Sequence, residues 1–116
     1  MKYVFVVLIF AVTFGAILIG PVQSGEVSVS SARSAAQLYS KNCASCHGKD
    51  GRAKTLKAKF NHARNLTNSE WQNDVSDERI FNSVMNGKGK KMPAFGKKFS
   101  EQEIESLVSY VRALKK

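Results

Sequence analysis

The seven residues Asn42-Cys43-Ala44-Ser45-Cys46-His47-Gly48 constrain this chain more than any other stretch. Two cysteines separated by two residues, with a histidine directly after the second, form the attachment pattern for a c-type haem. The spacing has a chemical cause. Two thiols on one short turn must reach the vinyl groups on neighbouring pyrroles of one porphyrin. The next residue then lies beneath the macrocycle, where an imidazole binds iron as proximal ligand. Cys43 and Cys46 are thus expected to become thioethers and His47 an axial ligand. Other uses of these residues fit less well. A thioredoxin-type dithiol expects a βαβ context, which this pattern does not provide. A zinc site needs four ligands, and Cys43, Cys46, His47 and His62 are the whole cysteine and histidine inventory. Adjacency of Cys46 and His47 makes shared tetrahedral ligation awkward. A disulfide closing so short a loop adds little stability.

A chain of 116 residues holds one domain at most, and outside its N-terminus it has few aliphatic residues for a core. A covalent haem would supply apolar surface to wrap around. The formal charge is +9 and unevenly spread. Lys41, Lys49, Arg52, Lys54, Lys57, Lys59 and Arg64 face only Asp50 across residues 41–64, and Lys88, Lys90, Lys91, Lys97 and Lys98 share their loop with no acid. Such clusters either solvate the surface or steer the molecule toward an acidic partner. Nucleic-acid binding has no recognition fold or aromatic–basic interleaving to support it.

Residues 1–24 read as an export signal: Lys2, an apolar run from Tyr3 to Ile19, the Gly20-Pro21 break, and Val22-Gln23-Ser24 before cleavage ahead of Gly25. The rival is an uncleaved membrane anchor, for which the run lies at the short limit of ~17–25 residues. Either reading delivers the domain outside the cytoplasm, to a bacterial periplasm or equivalent compartment. Residues 25–34 form a serine-rich flexible linker, and residues 35–116 the folded domain.

Within that domain Ser34 is placed to cap a helix over residues 35–42. Residues 52–65, basic and poor in apolar side chains, read as a loop with at most one irregular turn. There His62 reads as a surface residue. Thr67 with Glu70 resembles a capping box opening a short helix through Trp71. Ser76 caps a further helix whose stripe is Ile80, Phe81, Val84 and Met85, ended by Gly87. Ser100 and Glu103 form another capping box, with Phe99 and Ile104 as its hydrophobic staple. Ile104, Leu107, Val108, Val111 and Leu114 then recur at helical spacing. Met85, Met92, His62 and lysine side chains are candidates for the sixth iron ligand. Met85 falls on a helical core stripe, whereas Met92 sits in a loop before a stiffening proline. Met92 is therefore the expected ligand, and a thioether favours ferrous iron.

With Cys43-Ala44-Ser45-Cys46-His47, Met92-Pro93-Ala94-Phe95 and a C-terminal amphipathic helix in this order, the sequence resembles the small monohaem class I cytochromes c. Bacterial periplasmic carriers and oxidase-type haem modules are the nearest in flavour. The resemblance covers about residues 35–116. It implies an all-α fold of four or five short helices around one covalent haem c, with His47 and Met92 as axial ligands. It also implies that Pro93 and Phe95 of the methionine loop, together with Leu66 and Trp71, line the haem pocket, although Leu66 and Trp71 read equally well as ordinary core. In the family the first and last helices cross; Ala35 stands where glycine is usual, and Tyr110 is the aromatic. The family commonly has a proline after the haem motif whose carbonyl accepts from the proximal histidine. No proline lies between His47 and Met92, so that acceptor is left open. The function implied is one-electron transfer by a monomer that docks acidic redox proteins through a lysine-rich face, and not enzyme catalysis. A membrane-anchored haem subunit of an oxidoreductase complex and a haem-based ligand sensor are the alternatives.

Overall fold

In the computed structural model the described residues are 33–116; the expected export signal, anchor and most of the linker lie outside them. Six helices follow in chain order: α1 (Ala35–Asn42), α2 (Ala44–His47), α3 (Leu56–Asn61), α4 (Ser69–Asp74), α5 (Asp77–Asn86) and α6 (Glu101–Ala113). Among the described residues the only extended pairing is a single bridge between Lys88 and Met92. The fold is all-α. No helix among the described residues is long and apolar enough to cross a membrane.

α6 organises the core because its apolar positions share one face. Ile104, Leu107, Val108 and Val111 are buried there, against Leu38 and Tyr39 of α1 and Ile80 and Val84 of α5. Each such side chain contributes about 1.5–3 kcal/mol when fully buried. Tyr110 packs its ring on Tyr39, with centroids 4.8 Å apart and planes tilted by 38°. This is where the first and last helices cross.

Both crossing helices begin in capping boxes. The Ser34 hydroxyl accepts from the Gln37 N–H and the Gln37 side chain accepts from the Ser34 N–H, each at 3.3 Å. Ser100 and Glu103 do the same at 3.2 and 3.0 Å, and Phe99 and Ile104 on either side are both buried. The two starts are tied together by Arg33. Its guanidinium donates to both Glu103 carboxylate oxygens at 2.9 Å and lies over the Phe99 ring.

Two local features depart from the expectations, and a third lies beyond them. Residues 56–61 form the regular helix α3, capped by Thr55, whose hydroxyl accepts from the Ala58 N–H at 2.9 Å. The next helix is capped by Asn68 and not by Thr67: Asn68 Oδ1 accepts from the Trp71 N–H at 2.7 Å. Thr67 is buried and gives its hydroxyl proton to Asn65 Oδ1 at 2.8 Å. The third feature is Arg112, which clamps α6 to the α4–α5 corner. It donates to the carbonyls of Gln72 and Val75, to Gln72 Oε1 and to Asp77. The Gln72 amide, buried, donates in turn to the carbonyls of Leu66 and Val111, both at 2.8 Å.

The Arg33 guanidinium beside Glu103, with the Ser100 N–H, holds its carboxyl below the usual carboxylate range. A depressed folded-state pKa stabilises the fold above the unfolded value near 4.5 and is lost as pH falls through the folded one. Glu103→Gln should therefore flatten the pH dependence of the thermal midpoint below that value, as checked by calorimetry across the acid range.

Candidate functional site

The C-x-x-C-H segment is Cys43 as N-cap followed by the four-residue helix α2, too short to satisfy its own carbonyls. Each has a partner. The Cys43 carbonyl accepts from the Cys46 and His47 N–H groups, and that of Ala44 from Gly48. Thr55 shares its hydroxyl between the carbonyls of Ser45 (3.0 Å) and Cys46 (3.2 Å). Ala53 donates to the His47 carbonyl at 2.7 Å. The Tyr39 hydroxyl, buried, donates to the Gly48 carbonyl at 2.8 Å. Thus α1 and the cap of α3 fix both ends of the motif. Burial at this contact also pushes the Tyr39 phenol well above its ordinary pKa.

The His47 ring is anchored by backbone. Its Nδ1 lies 2.9 Å from the carbonyl oxygen of Arg64. A carbonyl can only accept, so Nδ1 carries the proton and Nε2 keeps a free lone pair. Burial lowers the His47 pKa, partly opposed by the Arg64 carbonyl, which favours the charged ring. The side chain is thereby a neutral imidazole with one fixed tautomer. Burial, and then the neighbouring Cys46, pushes the Cys43 thiol up to about 11. That is the opposite of the low-pKa thiolate that dithiol redox chemistry uses. Among the described residues no three of His, Cys, Asp and Glu are grouped as a metal site, so a zinc cluster has no geometric support.

A cleft of about 380 Å³ opens beside α2. Cys43, Cys46, His47, Leu66, Trp71, Met92, Pro93 and Phe95 all line it, so the residues singled out in the sequence converge on one place. Its apolar wall also includes Val75, Ile80, Val84, Leu107 and Val111. Leu66 and Phe95 are buried within the wall, Trp71 is half-buried, and Pro93 is exposed at the opening. His62, the left-handed C-cap of α3, is exposed at the rim. Met85 does not line the cleft. It packs on the chain at Gly96, where an added Cβ would lie 2.3 Å from its sulfur.

The loop bearing Met92 is held by backbone bonds at both sides. Lys88 and Met92 pair as an antiparallel bridge, and the Phe95 and Gly96 N–H groups donate to the carbonyls of Val84 and Met85 at 2.9 and 3.0 Å. Residues not assigned to the site from the sequence complete it: Tyr39, Thr55, the Arg64 carbonyl, Asn61, whose Nδ2 lies 3.7 Å from Cys46 Sγ, and Gly87, expected only as the end of its helix. Of these, Gly87 carried a signal as a helix end, and Thr55, a cap ahead of Leu56-Lys57-Ala58-Lys59-Phe60, carried one that went unused.

Residues 30–111 match the family model described as cytochrome c oxidase, cbb3-type, subunit III. The chain belongs to this family. It is a small class I c-type cytochrome. The cytochrome c6 of Gloeothece citriformis is 33% identical over 114 residues, spanning 95% of this chain and 91% of the relative. FixP, a cbb3-type cytochrome c oxidase subunit of Azorhizobium caulinodans, is 32% identical over 83 residues, or 72% of this chain. The chain spans only 27% of that subunit's length. Among solved structures the KustC0563 c-type cytochrome is similar at 36% identity and a TM-score of 0.69, covering 72% of this chain and all of the other. The helical architecture is accordingly the class I cytochrome c fold. A protein of this family transfers electrons through haem iron.

Gly87 decides how closely the methionine loop approaches α5. Its φ is +69°, and a Cβ there would lie 2.5 Å from the Met92 carbonyl oxygen and 2.7 Å from the Ala94 nitrogen. Gly89, at φ +58°, has open space around it. Gly87→Ala should destabilise by about 2–4 kcal/mol, combining left-handed strain with the clash, and Gly89→Ala by only about 1. Denaturant unfolding of the two variants checks this.

Proposed function

We propose that this chain is a one-electron carrier with one covalently attached haem c, bonded through Cys43 and Cys46 and ligated by His47 and Met92. The observation that carries the reading is the convergence of those four side chains on one apolar cleft, with the His47 tautomer already set for a bond from Nε2. A haem held there by Cys43, Cys46, His47 and Met92 would supply an iron able to take up and give back one electron. The protein's part is to hold ligands and exclude water. Tyr39, Thr55 and the Arg64 carbonyl fix the attachment turn, and Gly87 and the Lys88–Met92 bridge hold the thioether loop. Leu66, Trp71, Pro93 and Phe95 line the cleft and would wall the ring. Arg64, Arg79, Lys88 and Lys91 also line the cleft, supplying cations for the two carboxylates that a haem carries. With His47 and Met92 both committed to holding the group, no place at it would be left for a substrate, so on this reading the chain carries electrons and does not itself catalyse.

On this reading residues 1–24 direct export to the periplasm, residues 25–34 are a linker, and the domain works as a monomer that meets acidic redox proteins through its lysine-rich face. A second reading, a haem subunit held at the membrane within an oxidoreductase complex, is favoured by the likeness to oxidase subunits far longer than this chain.

Produced with a c-type maturation system, the protein should keep haem stain after denaturing electrophoresis and acid–acetone extraction. Met92→Ala should abolish the far-red sulfur-to-iron band of the oxidised protein, and Met85→Ala should leave it intact. The reverse pattern would assign the ligand to Met85.

A further inference from the structure

α3 presents a face that the cleft does not use. Leu56 is 75% exposed and Phe60 79%, the large apolar side chains left most open among the described residues. Four residues apart, they lie side by side on one face of the helix, whereas Ala58 is buried on the other. Basic residues surround them in sequence: Arg52, Lys54, Lys57, Lys59 and Arg64, with no acid between Asp50 and Glu70. Both ends of α3 are fastened to the Cys46 end of α2. Thr55 bonds the Ser45 and Cys46 carbonyls, and Asn61, next to Phe60, reaches Cys46 Sγ at 3.7 Å.

We infer that the Leu56–Phe60 face of α3 is the apolar anchor by which a redox protein docks, with the surrounding lysines and arginines meeting an acidic rim on that partner. This rests on the electron-carrier reading above and adds where the partner sits: beside the Cys46 attachment point. Interfaces of this kind centre on a few apolar or aromatic anchors inside a polar rim. The ring of like charge opposes a second copy of this chain at the same face. Two side chains on a six-residue helix also bury too little for stable membrane anchoring, which takes more than one such signal.

The test uses the full, haem-loaded protein on gold-coated quartz crystals bearing one of two alkanethiol monolayers. One monolayer is purely carboxylate-terminated, and the other mixes carboxylate and methyl ends to imitate an acidic rim around an apolar centre. Retention is weighed directly, and voltammetry on the same surface reports electron exchange. The natural protein should be held more tightly on the mixed surface. Leu56→Ser with Phe60→Ser should lower the retention constant there about tenfold or more, in the range of hot-spot truncations, and leave retention on carboxylate unchanged. Lys57→Gln with Lys59→Gln should weaken both. Because Leu56 and Phe60 are exposed, an unchanged thermal midpoint is expected of the serine variant. Equal retention of the serine variant and the natural protein on the mixed surface would overturn the inference. So would a loss confined to co-sedimentation with vesicles of phosphatidylglycerol and phosphatidylcholine at unchanged monolayer retention, which identifies lipid as the occupant. A dimer in sedimentation velocity that the serine variant abolishes would likewise overturn it in favour of self-association. Normal retention without a voltammetric couple would instead refute the carrier reading while the anchor stands.

Discussion

A single hydrogen bond, from His47 Nδ1 to the Arg64 carbonyl at 2.9 Å, is the constraint on which the rest of the site depends. It joins α2 to the segment that runs on from α3 into α4, and it sets which ring nitrogen is free. The ring is half-buried and its Nδ1 faces a group that can only accept, which is why the contact selects a tautomer and does not merely accompany one. The same segment continues into Leu66, whose N–H donates to the Gly51 carbonyl at 2.7 Å. Orientation of the imidazole and closure of the cleft wall are therefore one structural event.

The two sides of the cleft are built from different materials. On the α2 side a motif of four helical residues is stabilised by borrowed donors: a phenol from α1, a hydroxyl from the α3 cap, and backbone N–H groups from the loop between. On the Met92 side the loop carries lysines and glycines and is held by its own bridge and by carbonyls of α5. Behind both, α6 supplies the common floor, and Arg112 with Gln72 locks that floor to the α4–α5 corner. Losing the Arg112 guanidinium would remove a donor from the part-buried carbonyls of Gln72 and Val75 and from Gln72 Oε1, which explains a charged side chain at a half-buried position.

How much of this was legible in the sequence follows from how local each interaction is. α1 and α6 could be bounded almost to the residue, because Ser34 and the Ser100–Glu103 box write their caps in adjacent side chains and Ile104 to Val111 repeat at helical spacing. α3 could not, since its large apolar residues face solvent and only Ala58 turns inward, so periodicity points away from a packed helix. At α4 the Thr67–Glu70 spacing mimics a capping box, yet burial of Thr67 diverts its hydroxyl to Asn65 and leaves the cap to Asn68. The His47 acceptor was illegible for a different reason. A carbonyl is present at every residue, and where a proline would have marked its position in the family, Arg64 marks nothing. Arg112 and Gln72 act across about 40 residues of sequence and are visible only once α6 has folded back.

The Arg64 carbonyl is expected to hold His47 as an Nδ1-protonated imidazole, leaving Nε2 free for a ligand bond. Nuclear magnetic resonance of the reduced, haem-loaded protein with labelled histidine addresses it directly. The account predicts a slowly exchanging Nδ1 proton on His47, coupled across the hydrogen bond to the Arg64 carbonyl carbon. A His47 Nδ1 proton that exchanges freely with water, or a ring protonated at Nε2, would contradict it.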